Sequence, residues 1–255
     1  MEEDRKVTVD EKEMDFVGHL SELRNRLIVT AILFIILFIV GFIYVEEIYA
    51  FFVKDLEFKL TAIGPSEIIW IYFSMAGLIA IVGSIPILTY QIWAFVKPGL
   101  TAWEQRATLA YIPATFILFI VGLIFGYLMF TKSLIPFLLS LNNGMFEIMF
   151  TIDKYFKFLM QVTIPIAVLF ELPIVVMFLT SIGILTPKFL EKNRRYAYFA
   201  LVVVSTIITP APDFILPLII SIPLILIYEV SIQLAKRIYR KKLQKHEEIM
   251  SEESI

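Results

Sequence analysis

The sequence predicts an all-α fold: a polytopic membrane protein with six transmembrane helices, the last two short, preceded by an amphipathic N-terminal helix. Three observations carry that reading. Apolar residues make up 59% of the 255 positions, against about 45–50% in soluble domains, and mean hydropathy is +0.82. They gather into six runs separated by charged or proline-containing stretches. The stretch before the first run carries an apolar face of helical period.

The same inventory excludes whole classes of chemistry. Without cysteine there is no disulfide, thiolate metal site or thiol nucleophile. His19 and His246 both lie outside the apolar runs, so no span holds a histidine metal site or a Ser–His dyad. No run contains an aspartate, which removes an intramembrane aspartyl pair. No G-x-G and no G-K-[ST] occurs, so no nucleotide loop is expected. The expectation is a non-enzymatic protein with no cofactor and no metal, drawing on a gradient or a partner for any uphill work.

Residues 1–14 read as a charged tail, with Glu2, Glu3, Asp4, Asp10, Glu11 and Glu13. A cleavable signal has a basic start and a short apolar core, so the first run is expected to stay in the protein. The membrane domain is read as 15–235, and 236–255 as a basic-then-acidic tail, unstructured beyond His246. Phe16, Leu20, Leu23 and Leu27 recur at helical spacing, with His19, Glu22 and Arg26 on a neighbouring face. That pattern predicts an amphipathic helix at the membrane surface.

The first span, 27–45, has 19 residues and no charge. The loop after it ends in Pro65, Ser66 and Glu67, a helix start with Ser66 as expected N-cap. The second span, 68–96, is longer than the roughly 20 residues a bilayer needs, so tilt or a kink at Pro86 is expected. The third, 107–130, holds Gly122 and Gly126 at a spacing that admits close helix approach; packing within the chain is favoured over a dimer seam. Residues 131–157 read as an aqueous loop, with 134–141 folding back onto the membrane.

The fourth span, 158–185, is interrupted by Pro165, Glu171 and Pro173. An ionised carboxylate in hydrocarbon is costly, so Glu171 faces protein or water or carries a proton. The flanking prolines free backbone carbonyls to which a protonated Glu171 can donate. The fifth and sixth runs, 196–209 and 214–228, reach about 21–23 Å, short of a hydrocarbon core about 30 Å thick. They form either a re-entrant hairpin or two spans of a thinned bilayer. Asp213 opens the sixth run as a candidate helix cap, and Glu229 closes it with Lys236 or Arg237 as expected partner.

Charge sets an orientation. With six spans, 17 of the 22 Lys and Arg fall on the side of the N-terminus, and Lys54, Lys59, Lys132, Lys154 and Lys157 on the other. The positive-inside rule then puts both termini in the cytoplasm of a multi-pass protein of the cell membrane.

Four motifs carry a resemblance: HLSELRNRL (19–27), FVKPGL (95–100) followed by Glu104, FELP (170–173) and TPAPD (209–213). In this order, over about residues 16–240, the chain resembles the TatC family, the polytopic core of the twin-arginine protein translocase. The resemblance implies recognition of signal peptides that bear a consecutive arginine pair, and protonmotive-force-driven export of folded proteins. The implied partners are TatA-type single-span subunits, TatB-type ones in many systems, further copies of the chain, and the bilayer; nucleic acid is not among them. Carried onto this sequence, the signal-peptide site is Glu22 and Glu104, supported by Leu20, Arg24, Phe95 and Pro98. Glu171 becomes the intramembrane contact for a partner helix, and Asp213 belongs to the last turn, where Ala211 is an insertion. Gln105 and Arg106 stand where many members carry two basic residues. The rival reading is an ion-coupled secondary transporter using Glu171; the long third and fourth spans have no counterparts in the short fifth and sixth.

The chain lacks native cysteine, so single introduced cysteines report topology directly. Cysteines at Ser21, Thr101, Lys192 and Lys245 are expected to label from the cytoplasm, and those at Lys59, Asn143 and Ala211 from outside. Cytoplasmic labelling at position 211 would remove the sixth span.

Overall fold

The computed structural model describes residues 3–252, apart from 55, 57, 102–104, 106–107, 143–148 and 210–213. The described backbone is helical: α1 (Glu3–Ile43), α2 (Val45–Val53), α3 (Pro65–Val96), a 3-10 turn (Lys97–Gly99) and α4 (Tyr111–Met129). A π turn (Phe130–Leu134) leads into α5 (Ile135–Ser140), followed by α6 (Ile152–Leu169), α7 (Leu172–Ser181), α8 (Pro187–Lys192), α9 (Arg194–Ile208) and α10 (Ile215–Glu252). Among the described residues, five segments are long and apolar enough to cross a membrane: Ser21–Ile43, Pro65–Val96, Tyr111–Ser140, Ile152–Ser181 and Ile215–Gln244. The 15-residue α9 is apolar but spans only about 22 Å.

Several boundaries differ from the sequence reading, each for a local reason. The amphipathic N-terminal segment is not a separate helix; it continues into the first span as α1, since no Gly or Pro interrupts residues 19–40. Gly64 takes the N-cap position of α3 and Pro65 its first turn, leaving Ser66 inside the helix. Residues 131–140 are helical rather than an aqueous loop, carried over Lys132 by the π turn. The last helix does not stop with its apolar run: it extends through the basic stretch to Glu252, because nothing between Tyr228 and Glu252 breaks a helix.

Packing follows chain order. α1 lies on α3, α3 on α4, α4 on α6, and α7 on α10, which also carries α9. Met75, Phe130, Phe156, Ile166, Ile220 and Leu224 are buried between them. Along α1, Ile28, Ile32, Ile35, Ile39 and Ile43 are exposed on one face, the pattern of a helix whose outer side meets hydrocarbon.

The end away from the basic residues is tied across the sequence. Thr61 N–H donates to the Phe150 carbonyl at 3.0 Å, and Ile152 N–H to the Thr61 carbonyl at 3.1 Å. Phe58 stacks on Phe150 with centroids 4.2 Å apart, and Tyr155 packs edge-on against Phe130 and Phe156.

Gly122 and Gly126 do their work inside the chain, as favoured above. A Cβ on Gly122 would sit 2.7 Å from the Ala167 Cα, and one on Gly126 would sit 2.9 Å from the Thr163 Cα. Backbone against backbone cannot yield as a flexible side chain can, so the α4–α6 seam requires hydrogen at both positions. Gly126→Ala is expected to lower thermal stability by about 1–3 kcal/mol, the usual cost of overpacking. Gly77→Ala, where a Cβ meets nothing within 4 Å, is expected to be neutral or stabilising by up to about 1 kcal/mol. Thermal unfolding of the two purified variants checks the pair.

Candidate functional site

The candidate residues divide between two places, the basic end of the bundle and the break in the α6–α7 rod. At the basic end, Arg26 joins two helices. Its Nε donates to Glu22 Oε1 at 3.0 Å, its Nη1 to Gln91 Oε1 at 3.0 Å, and its Nη2 to the Ala94 carbonyl at 3.5 Å. Glu22 is thereby held beside the last turns of α3; Phe95, half-buried, follows Ala94 on that helix, and the exposed Pro98 lies in the 3-10 turn after it. Arg24 points elsewhere: it is exposed and lines a shallow groove of about 380 Å³ with Leu23, Leu27, Ile28 and Ala31. Its charge is therefore kept away from Glu22 by the helical turn. The Leu20 side chain and all of Glu104 lie outside the described residues.

The segment that carries Glu104 is nonetheless anchored on both sides. Trp93 Nε1 donates to Thr108 Oγ1 at 2.9 Å in a buried contact, and the Lys97 ammonium sits 5.4 Å from the Trp93 ring centroid. Gln105 N–H donates to the Thr101 carbonyl at 2.9 Å, and its side-chain Nε2 reaches the Lys97 and Leu100 carbonyls at 3.2 and 3.0 Å. Sequence reading registered Gln105 only as a departure from a basic pair. Its amide closes the turn by donating to both carbonyls at once.

The second place is Glu171. Pro173 lacks the N–H that the Leu169 carbonyl would accept, so the helix breaks at Phe170 and Glu171 and restarts at Leu172. Thr115 from α4 faces the carboxyl. Both carboxyl oxygens are enclosed by protein, the Thr115 hydroxyl approaches them, and among the described residues neither makes a hydrogen bond of ordinary geometry. The expected donation to a carbonyl freed by proline is not made. Toward the opposite end the same seam opens into an apolar cavity of about 530 Å³, lined by Phe52, Met75, Ile79, Leu123, Tyr127 and Thr163 among others.

Glu229 is ion-paired at the end of its apolar run, but with different partners from those expected. Arg194 Nη2 donates to its Oε2 at 2.7 Å, and the Tyr198 hydroxyl donates to Oε1. Lys236 instead pairs with Glu191, and that ammonium holds the Glu191 carboxyl below its ordinary range. Lys242 donates to the Ser181 carbonyl at 2.7 Å and Tyr228 to the Leu190 carbonyl at 3.0 Å. The segment from Ser181 to Tyr198 is thus fastened to α10 by five contacts, none of them legible from spacing along the chain. Asp213 lies outside the described residues. Among the described residues no three His, Asp or Glu gather as metal ligands.

An apolar helical bundle with one strongly basic end and an orphan carboxyl inside its spans is a multi-pass membrane protein. The family model described as Sec-independent protein translocase protein (TatC) matches residues 18–223. The chain is 47% identical over 236 residues to protein TatCd of Bacillus subtilis, covering 92% of this chain and 97% of that one. It is 41% identical over 258 residues to TatC of Halalkalibacterium halodurans, covering 96% and 98%. A crystal structure titled Twin Arginine Translocase Receptor- TatC superposes with TM-score 0.75 at 30% identity, covering 86% of this chain and 99% of that one. The chain belongs to the TatC family of Sec-independent protein translocase components.

A buried carboxyl without a partner costs free energy whichever protonation state it holds. Glu171→Leu is therefore expected to raise stability by about 1–3 kcal/mol, while Glu171→Gln, which keeps polar atoms in the same enclosure, leaves it unchanged or lower. Thermal unfolding in detergent separates the two.

Proposed function

We propose that the chain is the signal-peptide receptor of a twin-arginine translocase, binding the arginine pair of cargo signal peptides and supporting protonmotive-force-driven export of folded proteins. The carrying observation is its likeness, over most of its length, to a solved protein titled as that receptor. In this reading both termini are cytoplasmic, so Glu22, Phe95, Pro98 and Glu104 face the cargo, with Leu20 and Arg24 beside them.

The chemistry asked of the site is simple. A guanidinium offers planar donors that match a carboxylate in a two-point geometry, whereas lysine offers a point charge. Two neighbouring arginines call for two separated carboxylates, and α1 and the α3–α4 loop supply one each. Each charged hydrogen bond contributes about 1.5–3 kcal/mol, less whatever water screening removes at a surface where Glu22 is 38% exposed. Glu171 serves as a polar foothold for a partner helix of the TatA type, a contact worth about 0.6–2 kcal/mol inside the bilayer. Further copies of the chain complete the assembly. The activity is transport rather than catalysis.

Binding of a labelled signal peptide tests the site. Glu22→Ala and Glu104→Ala are each expected to weaken the twin-Arg peptide roughly tenfold or more and to erase its advantage over a twin-Lys peptide. Wild-type affinity and preference in both variants would remove these carboxylates as ligands. In the same series, Glu171→Leu is expected to export cargo more slowly than Glu171→Gln; equal rates would remove the foothold.

A further inference from the structure

Glu22 is already occupied by an arginine of its own chain. Arg26 Nε and Nη2 both reach Glu22 Oε1, at 3.0 and 2.5 Å, while Nη1 and Nη2 bond Gln91 and the Ala94 carbonyl on α3. Exposed pairs four residues apart on a helix are ordinarily weak and mobile. This one is neither free to swing nor fully hydrated: the Arg26 side chain is 24% exposed, and all three of its nitrogens are engaged from two helices.

We infer that Arg26 is an internal occupant of the carboxylate that receives cargo arginine, closing Glu22 in the resting chain, and that a cargo guanidinium binds by displacing it. This rests on the reading of Glu22 as a signal-peptide ligand. The chemistry of the two competitors is the same, since both present a planar fork of N–H donors. Both Arg26 contacts fall on a single oxygen, Oε1, so the pair lacks the parallel two-bond arrangement of a guanidinium that spans a carboxylate. Displaced from Glu22, Arg26 keeps its acceptors on Gln91 and Ala94, so its charge is not stranded.

An internal competitor has a defined thermodynamic signature. It lowers the apparent affinity of every ligand for that carboxylate by the fraction of time the site is open, so it scales arginine and lysine peptides equally and leaves their ratio alone. A carboxylate closed nine-tenths of the time gains about tenfold when the competitor is removed.

The experiment measures fluorescence anisotropy of labelled twin-Arg and twin-Lys signal peptides on the full-length protein in nanodiscs. The proteins are wild type, Arg26→Gln, Arg26→Lys, Glu22→Ala and the double variant Glu22→Ala/Arg26→Gln, with melting curves to establish that each is folded. Arg26→Gln is expected to tighten both peptides roughly threefold to tenfold with an unchanged ratio. Arg26→Lys, which keeps the charge and loses the fork, is expected to tighten them about twofold, and the double variant to bind no better than Glu22→Ala. Unchanged or weaker binding by folded Arg26→Gln overturns the proposal and makes Arg26 a support for Glu22. Tightening by Arg26→Gln with none by Arg26→Lys also overturns it, since simple charge repulsion then accounts for the gain. Wild-type binding by Glu22→Ala removes Glu22 as the ligand, a failure of the receptor site that is visible independently of any Arg26 result.

Discussion

A chain in hydrocarbon must answer its own polar groups, and that requirement shapes most of this fold. Helices answer the backbone. Several hydroxyls are answered the same way, by bonding backward along their own helix. Thr180 donates to the Val176 carbonyl, Ser205 to Val202, Ser231 to Ile227, Ser221 to Leu218 and Thr131 to Tyr127. Each bond closes locally and commits the helix to no neighbour. Association between helices is therefore left to shape: hydrogen in place of a side chain at Gly122 and Gly126, and interlocked aromatics around Tyr155. Other hydroxyls, among them those of Ser74, Ser84 and Thr163, are enclosed without a partner among the described residues, and Glu171 joins them with two carboxyl oxygens at a break in the helix, faced by Thr115.

Much of this was legible from residue order. Hydrophobic runs are a one-dimensional signal, and a bilayer's thickness converts them to spans with little tertiary information. The break at Glu171 was legible because Pro173 lacks a donor wherever it sits. The intrachain role of Gly122 and Gly126 was favoured on packing grounds and is visible in their contacts. Helix ends were less legible, since a run of hydropathy ends where charge begins and a helix does not. Residues 131–140 and the extension of α10 past Tyr228 are helical because neither stretch opens with a breaker, and Lys and Arg are good helix formers.

Pairings across the sequence were the least legible part of the candidate site. Spacing offers Glu229 the basic residues two turns along its own helix, Lys236 and Arg237. In three dimensions α9 brings Arg194 and Tyr198 alongside, 35 and 31 positions away. Gln91 is the same case: an uncharged residue in an apolar helix draws no attention until Arg26, 65 positions away, is found leaning on it. The resemblance groups Glu22 with Arg24, yet they leave α1 in different directions, one into the junction with α3 and one over the groove beside Leu27 and Ile28.

The extension of α10 has a mechanical consequence. At 38 residues it is a rod of about 57 Å, roughly twice the thickness of the hydrocarbon it enters. Its inner half packs on α7 and holds the Leu190 carbonyl through Tyr228, and its outer half grips Glu191 and the end of α7 through Lys236 and Lys242. A load applied to the protruding end does not dissipate in a loose tail. It acts as torque on a stiff lever, with the bundle as fulcrum and the α7–α9 turn as the first part displaced.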